Sequence, residues 1–189
     1  MLRGNGGYIS VENVAKSANI GKGSVYYYFA SQEDIWYALV ERAFKRVKNE
    51  YFSVVDLNQN IIKKIELLYV CTIKKTFSDG RINIIRTLHM NNNLILHNYI
   101  KKAAVFQLAP ILEKLLIQGT HENFLKTDYP KEASEIIVSI LTFIHDGTVF
   151  SDDEEKIKKI EFLVRILEDT LKCPRDSWGF LKNIDYLRD

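Results

Sequence analysis

Only three prolines and nine glycines interrupt a chain of 189 residues, and between them apolar side chains recur at the spacing of one helix face. From Asn60 to Phe77 they fall at Ile61, Ile65, Leu68 and Ile73. Across Glu132–Phe150 they fall at Ala133, Ile137, Ile140 and Ile144, with Ile136, Leu141 and Phe143 widening the stripe. Ile157, Ile160, Val164, Leu167 and Leu171 step by 3, 4, 3 and 4, with Phe162, Leu163 and Ile166 alongside. No convincing strand remains. The spacing predicts an all-α fold, a small N-terminal unit followed by a larger helical body.

The breakers divide this body. A short helix is expected over Arg81–Met90 and a long one over Leu94–Gln118, in which Pro110 kinks the rod rather than breaking it. Gly119 to Pro130 reads as a polar connector, with Pro130 in the first turn of the next helix. Asp152-Asp153-Glu154-Glu155 suits the positive end of a helix dipole, and Pro174 closes the helix that follows. Trp178, Phe180, Leu181 and Tyr186 predict a C-terminal stretch that docks on the body.

A content of 47% hydrophobic and 26% charged residues excludes collagen-like, disordered and disulfide-framework chains. The net charge of +2 excludes a wholly cationic nucleic-acid coat, but the charge is uneven. Residues 1–48 carry Arg3, Lys16, Lys22, Arg42, Lys45, Arg46 and Lys48 against Glu12, Glu33, Asp34 and Glu41, a local excess of +3. Cys71 and Cys173 have no Cys or His at ligand spacing beside them, so neither a metal nor a cofactor is implied. No apolar run approaches the roughly 20 residues that span a bilayer, and a cytoplasmic protein with no membrane partner is expected.

The most informative segment is Ile9 to Phe29. Ser10 precedes a helix with Val11, Val14, Ala15 and Ala18 on one face, and its hydroxyl can cap the first turn. Asn19 suits the left-handed residue that ends a helix abruptly, and Ile20 is expected to plug the angle before Gly21-Lys22 opens a second helix. This is a helix-turn-helix. In the second helix Val25 and Phe29 face the core, and Gly23, Tyr26 and Tyr27 fall on the opposite side. A glycine there lets backbone approach a phosphate. Lys22 and Ser24 can donate to phosphate oxygens, and tyrosine rings and hydroxyls can reach bases.

The string Lys22-Gly23-Ser24-Val25-Tyr26-Tyr27-Tyr28-Phe29 resembles the recognition helix of the TetR family of transcriptional repressors, and Ser31-Gln32-Glu33-Asp34-Ile35 is similar to the opening of that family's next helix. Gln32 stands where the family has lysine. The resemblance implies DNA contacts from Lys22, Gly23, Ser24, Tyr26, Tyr27 and Tyr28, with Ser10 at the start of the positioning helix. It also implies a first helix of about four turns ending near Gly6-Gly7-Tyr8, whereas Met1–Asn5 amount to about 7 Å of helix. The expectation is therefore a truncated DNA-binding domain over 1–47, with Val14, Ala18, Val25 and Phe29 partly uncovered. Weak operator binding is expected unless the chain is extended upstream.

Beyond it, 48–189 reads as an effector-binding and dimerisation domain. The connector Gln118-Gly119…Phe124…Tyr129-Pro130…Ala133 is similar to the family's link into its last two helices, which form a four-helix dimer interface. The broad apolar face of those helices agrees, and Ile137, Ile140, Ile144, Ile160, Val164 and Leu167 are the expected dimer contacts, although part of both stripes must serve the chain's own core. The resemblance also implies a pocket for a small, largely apolar effector, with candidates Tyr69, Cys71, Phe77, His89, Met90, His97 and Phe106. His89 and His97 lie about 12 Å apart along a helix, too far to share a metal.

The function expected is a ligand-responsive repressor that binds a palindromic operator as a homodimer. The alternative is a helical homodimer that binds a ligand or protein without DNA. The histidines His89, His97, His121 and His145 and the two cysteines show no nucleophile–base spacing or phosphate loop, so an enzyme is not expected.

Overall fold

The computed structural model describes residues 10–77, 94–145 and 152–183. These residues contain seven α-helices and one 3-10 turn, and among them there is no strand. Helix α1 (Val11–Ala18) starts at Ser10, whose Oγ accepts from the Asn13 N–H at 3.1 Å. It ends at Asn19, which takes a left-handed φ of 54°. The Ile20 N–H then reaches back to the Ala15 carbonyl at 3.0 Å, a closure that turns the chain sharply into α2 (Lys22–Tyr28).

Helix α3 (Gln32–Ser53) opens with a reciprocal cap. Ser31 Oγ accepts from the Asp34 N–H at 3.1 Å, and Asp34 Oδ2 accepts from the Ser31 N–H at 3.0 Å. Asn60 caps α4 (Ile61–Phe77) through the Lys63 N–H at 2.8 Å. The long helix α5 (Leu94–His121) continues through Pro110, so the proline does not break it. Pro130 opens α6 (Pro130–His145), and Asp152 caps α7 (Asp153–Thr170) by accepting from the Glu155 N–H at 2.8 Å. The expected helix over Arg81–Met90, the first nine residues and Tyr186 lie outside the described residues.

Three apolar clusters organise these helices. In the head, Val11, Ala15, Val25 and Ile35 are buried, with Val14, Phe29 and Leu39 packed against them. Two expectations are corrected there. Val25 is only 2% exposed, because Ile35 and Leu39 of α3 provide its cover, while Ile20 does not plug the corner and is exposed. Ala18 is exposed, and Val14 and Phe29 are half-buried.

The body core joins α4, α5, α6 and α7 through Ile61, Ile65, Leu68, Ile111, Leu115, Leu116, Ile137, Ile160 and Val164. Trp178 and Leu181 of the C-terminal turn (Gly179–Lys182 and the residue before it) are each 1% exposed, so this stretch docks as predicted. Between head and body lies a third cluster. Trp36 and Val40 of α3 are buried against Tyr37, Tyr99, Ile100 and Ala103. Helix α3 therefore belongs to both units, contributing Ile35 to the head and Tyr51 and Val54, at its C-terminal end, to the body.

Candidate functional site

Helix α2 has seven residues, of which glycine, serine, valine and three tyrosines are poor helix formers, and a helix that short does not stand alone in water. Val25 and Phe29 hold it against α1 and α3. What it presents outward is unusual for a surface. Tyr26, Tyr27 and Tyr28 are 50%, 84% and 74% exposed, and the rings of Tyr27 and Tyr28 meet edge to face with centroids 5.1 Å apart. Three exposed aromatic side chains on two turns bring the chain no packing gain of its own.

Gly23 sits among them in open space: a Cβ built there meets nothing within 4 Å. Lys22 and Ser24 flank it, also exposed, and the first turn of α2 carries no acidic residue. The face thus combines a bare backbone approach, an ammonium, a hydroxyl and three phenols, a set suited to phosphate oxygens and base edges. Ser10 lies apart in role. Its hydroxyl is committed to the α1 cap and positions the corner.

The head meets the body along α3 and the first half of α5. The Tyr37 and Tyr99 rings pack 4.3 Å apart, and the Tyr99 hydroxyl donates to Glu41 Oε1 at 2.9 Å. Burial, and then the hydrogen bond and charge of Glu41, push the Tyr99 hydroxyl up, which keeps it a donor. Sequence reading missed this contact, because a tyrosine and a glutamate 58 positions apart leave no local signal.

Within the body, Tyr69 is buried on α4 and its hydroxyl lies 3.0 Å from His145 Nε2 at the end of α6. Phe180 packs edge-on to the same tyrosine ring. Burial, with the charge of Lys156 adding to it, pushes His145 down to about 4, so the imidazole is neutral near pH 7. Its Nδ1 is buried without a hydrogen-bonding partner. Cys71, next on α4, is half-buried and burial pushes its thiol up.

Phe106 requires a correction. It is 66% exposed, beneath the Lys102 ammonium at 5.7 Å from the ring centroid, and lines no interior wall. His89 and Met90, and the side chains of Phe77 and His97, lie outside the described residues. A cleft of about 480 Å³ opens elsewhere, lined by Thr120, Asn123, Leu125, Lys126 and Lys172, and contains none of the candidate effector residues. Among the described residues no group of His, Cys, Asp and Glu is placed to hold a metal.

The residues expected to make dimer contacts divide between the chain's own core and its surface. Ile137, Ile144, Ile160, Val164 and Leu167 all lie in the chain's own core, and of the six only Ile140 is exposed. The exposed apolar side chains of these helices are instead Ile136, Ile140 and Phe143 on α6 and Phe162 and Ile166 on α7. Each helix carries two adjacent stripes offset by one residue. Helical period alone reveals both without saying which one faces inward.

A seven-residue reading helix set across a capped positioning helix, mounted on an all-helical body, defines a helix-turn-helix DNA-binding regulator. Residues 5–39 match the family described as bacterial regulatory proteins, tetR family, and residues 75–163 match the tetracyclin repressor-like C-terminal domain. The chain belongs to the TetR family of transcriptional regulators, which are DNA-binding regulators and not enzymes. No curated protein matches it. Among the described residues no helix is long and apolar enough to cross a membrane.

Proposed function

We propose that this regulator is a repressor that binds a palindromic operator as a homodimer and is released by a small, largely apolar effector, acting in the cytoplasm where its DNA lies. The observation that carries the DNA reading is the outward face of α2, where Lys22, Gly23, Ser24, Tyr26, Tyr27 and Tyr28 are all exposed and Gly23 has no packing reason to be a glycine. Two such helices, about 34 Å apart in a two-fold dimer, would enter successive major grooves. The unpartnered stripe of Ile136, Ile140, Phe143, Phe162 and Ile166 supports the dimer. We assign 1–47 to DNA binding and 48–189 to effector binding and dimerisation, with Tyr69 and its partner His145 as the polar group available to an effector. Release follows when the effector favours a head spacing that no longer fits both half-sites.

A mobility-shift titration on the DNA flanking the chain's own coding region tests this. Wild-type protein is expected to shift a palindromic fragment, and Tyr27→Ala and Lys22→Ala to weaken the shift while leaving the thermal transition in place. Tyr27→Ala binding as tightly as wild type would overturn the assignment of α2 as the reader.

A further inference from the structure

Helix α7 ends in a closure that brings a thiol over a carboxylate. Leu171 is its C-cap, Lys172 takes a left-handed φ of 52°, and the Cys173 N–H reaches back to the Glu168 carbonyl at 3.2 Å. In such a Schellman turn the residue after the left-handed one lies against the side chain five positions back, here Glu168. That carboxylate is 4% exposed. Its Oε2 has Arg175 Nη1 at 3.7 Å, while Oε1 is buried with no hydrogen-bond donor among the described residues.

The C-terminal turn brings the complementary group. Trp178 is fully buried, and its indole N–H faces the Cys173 sulfur without closing a hydrogen bond to any acceptor among the described residues. The other donors near that sulfur are committed: the Ser177 hydroxyl donates to the Pro174 carbonyl at 2.6 Å and the Cys173 N–H to Glu168. A donor without an acceptor and an acceptor without a donor thus lie beside one half-buried thiol. A thiol is a weak partner for either. A hydroxyl carried on the sulfur would satisfy both, its oxygen accepting from Trp178 Nε1 and its proton going to Glu168 Oε1.

We propose that Cys173 is an oxidation site: a peroxide converts its thiol to a sulfenic acid, which the Trp178 indole and the Glu168 carboxylate hold. Glu168 Oε1 takes the proton from sulfur. The sulfur electron pair attacks one peroxide oxygen, the S–O bond forms and the O–O bond breaks. The departing hydroxide or alkoxide takes the proton from Glu168 and leaves as water or an alcohol; sulfur has lost two electrons and the peroxide has gained them. Burial, opposed by Trp178 and reinforced by the charge of Glu168, pushes the Cys173 thiol up, so thiolate is scarce near pH 7. The site therefore acts on the lifetime of the product more than on the speed of attack. Held protonated between its two partners, the sulfenic acid resists further oxidation to sulfinic acid.

Cys71 is the comparison within the same chain, because it is half-buried as well and burial alone pushes its thiol up. Cys71→Ala and Cys173→Ala give two proteins with one thiol each. Both are treated with hydrogen peroxide, then unfolded into dimedone, and the adduct and the sulfinic acid are quantified by mass spectrometry. The protein that keeps Cys173 is expected to give about fivefold more adduct and the smaller share of sulfinic acid. Glu168→Gln and Trp178→Phe, each added to the Cys71→Ala chain, should bring the adduct down to the level seen at Cys71. Glu168→Gln keeps the shape of the side chain, so it decides the matter where Trp178→Phe loosens the turn. Equal adduct from the two single-thiol proteins overturns the proposal, and so does an adduct unmoved by Glu168→Gln. Neither DNA nor effector enters the experiment, so its failure is distinct from a failure of the repressor reading.

Discussion

The hydroxyl of Tyr69 and the Nε2 of His145 stand 3.0 Å apart, joining α4 to the last turn of α6 in a place where the imidazole cannot afford a charge. In the unfolded chain His145 takes up its proton near pH 6.5, and in the folded chain only near 4. Between those values the unfolded state binds more protons, so stability is full above the upper value and declines as pH falls toward the lower one. The loss reaches about 3 kcal/mol by the acid end of that window. Urea unfolding at several pH values is expected to show this slope in wild type and a shallower one in His145→Gln, whose amide can still hydrogen-bond with the Tyr69 hydroxyl. Parallel slopes in the two proteins would count against a buried neutral imidazole.

Two glycines of the chain respond oppositely to a methyl group. At Gly119 an added Cβ comes within 2.9 Å of Leu125 Cδ2 and 3.1 Å of Ile61 Cγ1, and both neighbours are core residues with nowhere to go. Gly119→Ala should therefore cost about 1–3 kcal/mol of stability. At Gly23 the Cβ meets open space, so Gly23→Ala should raise stability by about 0.5–1 kcal/mol through helix propensity alone. The same change should weaken DNA binding, since the methyl occupies the approach to the backbone. Thermal melts and mobility shifts on the two variants read both effects. A Gly23→Ala protein that gains stability and binds DNA unchanged would show that this backbone is not approached.

The head was legible in the sequence because its signals are local. Ser10, Asn19 and the Lys22–Phe29 string each state a cap, a turn or a helix face within a few residues, and the structure places them so. Ile20 and Val25 were misjudged for the opposite reason. Burial there is decided by α3, whose Ile35 and Leu39 cover Val25 once it has folded back and leave Ile20 outside the cluster. The Tyr99–Glu41 and Tyr69–His145 contacts are of the same kind, joining residues on separate helices that no period relates. Ile137 and Ile140 belong to one stripe by period, yet Ile137 is buried and Ile140 exposed, because a helix that is apolar over more than one stripe does not announce which side faces in.

The reciprocal cap at Ser31 sits where the head hands over to α3, so its worth should be felt in both units. Ser31→Ala removes the acceptor for the Asp34 N–H and leaves the Asp34 carboxylate holding the Ser31 N–H alone. The expected loss is about 1 kcal/mol, the usual value for an N-cap serine. Because α3 is common to head and body, the whole melting transition should move down together. A separate early transition of the head, with the body unaffected, would show that α3 does not couple them.

A dimer interface on the exposed α6–α7 stripe, as proposed, predicts a separation of folding from assembly. Phe162 is 66% exposed in the single chain, and Ile160, two residues away on α7, is 1% exposed. Phe162→Glu should give a folded monomer. In a two-fold interface each change counts twice, so at about 1.5–3 kcal/mol per buried side chain the dimer loses about 3–6 kcal/mol, a rise in Kd on the order of 10² to 10⁴. Ile160→Glu should instead unfold the body, because a carboxylate there is buried without a counter-charge. Light scattering gives the mass and circular dichroism the helix content. A Phe162→Glu protein that remains a dimer with full helicity would move the interface away from the α6–α7 face, and with it the spacing of the two heads on DNA.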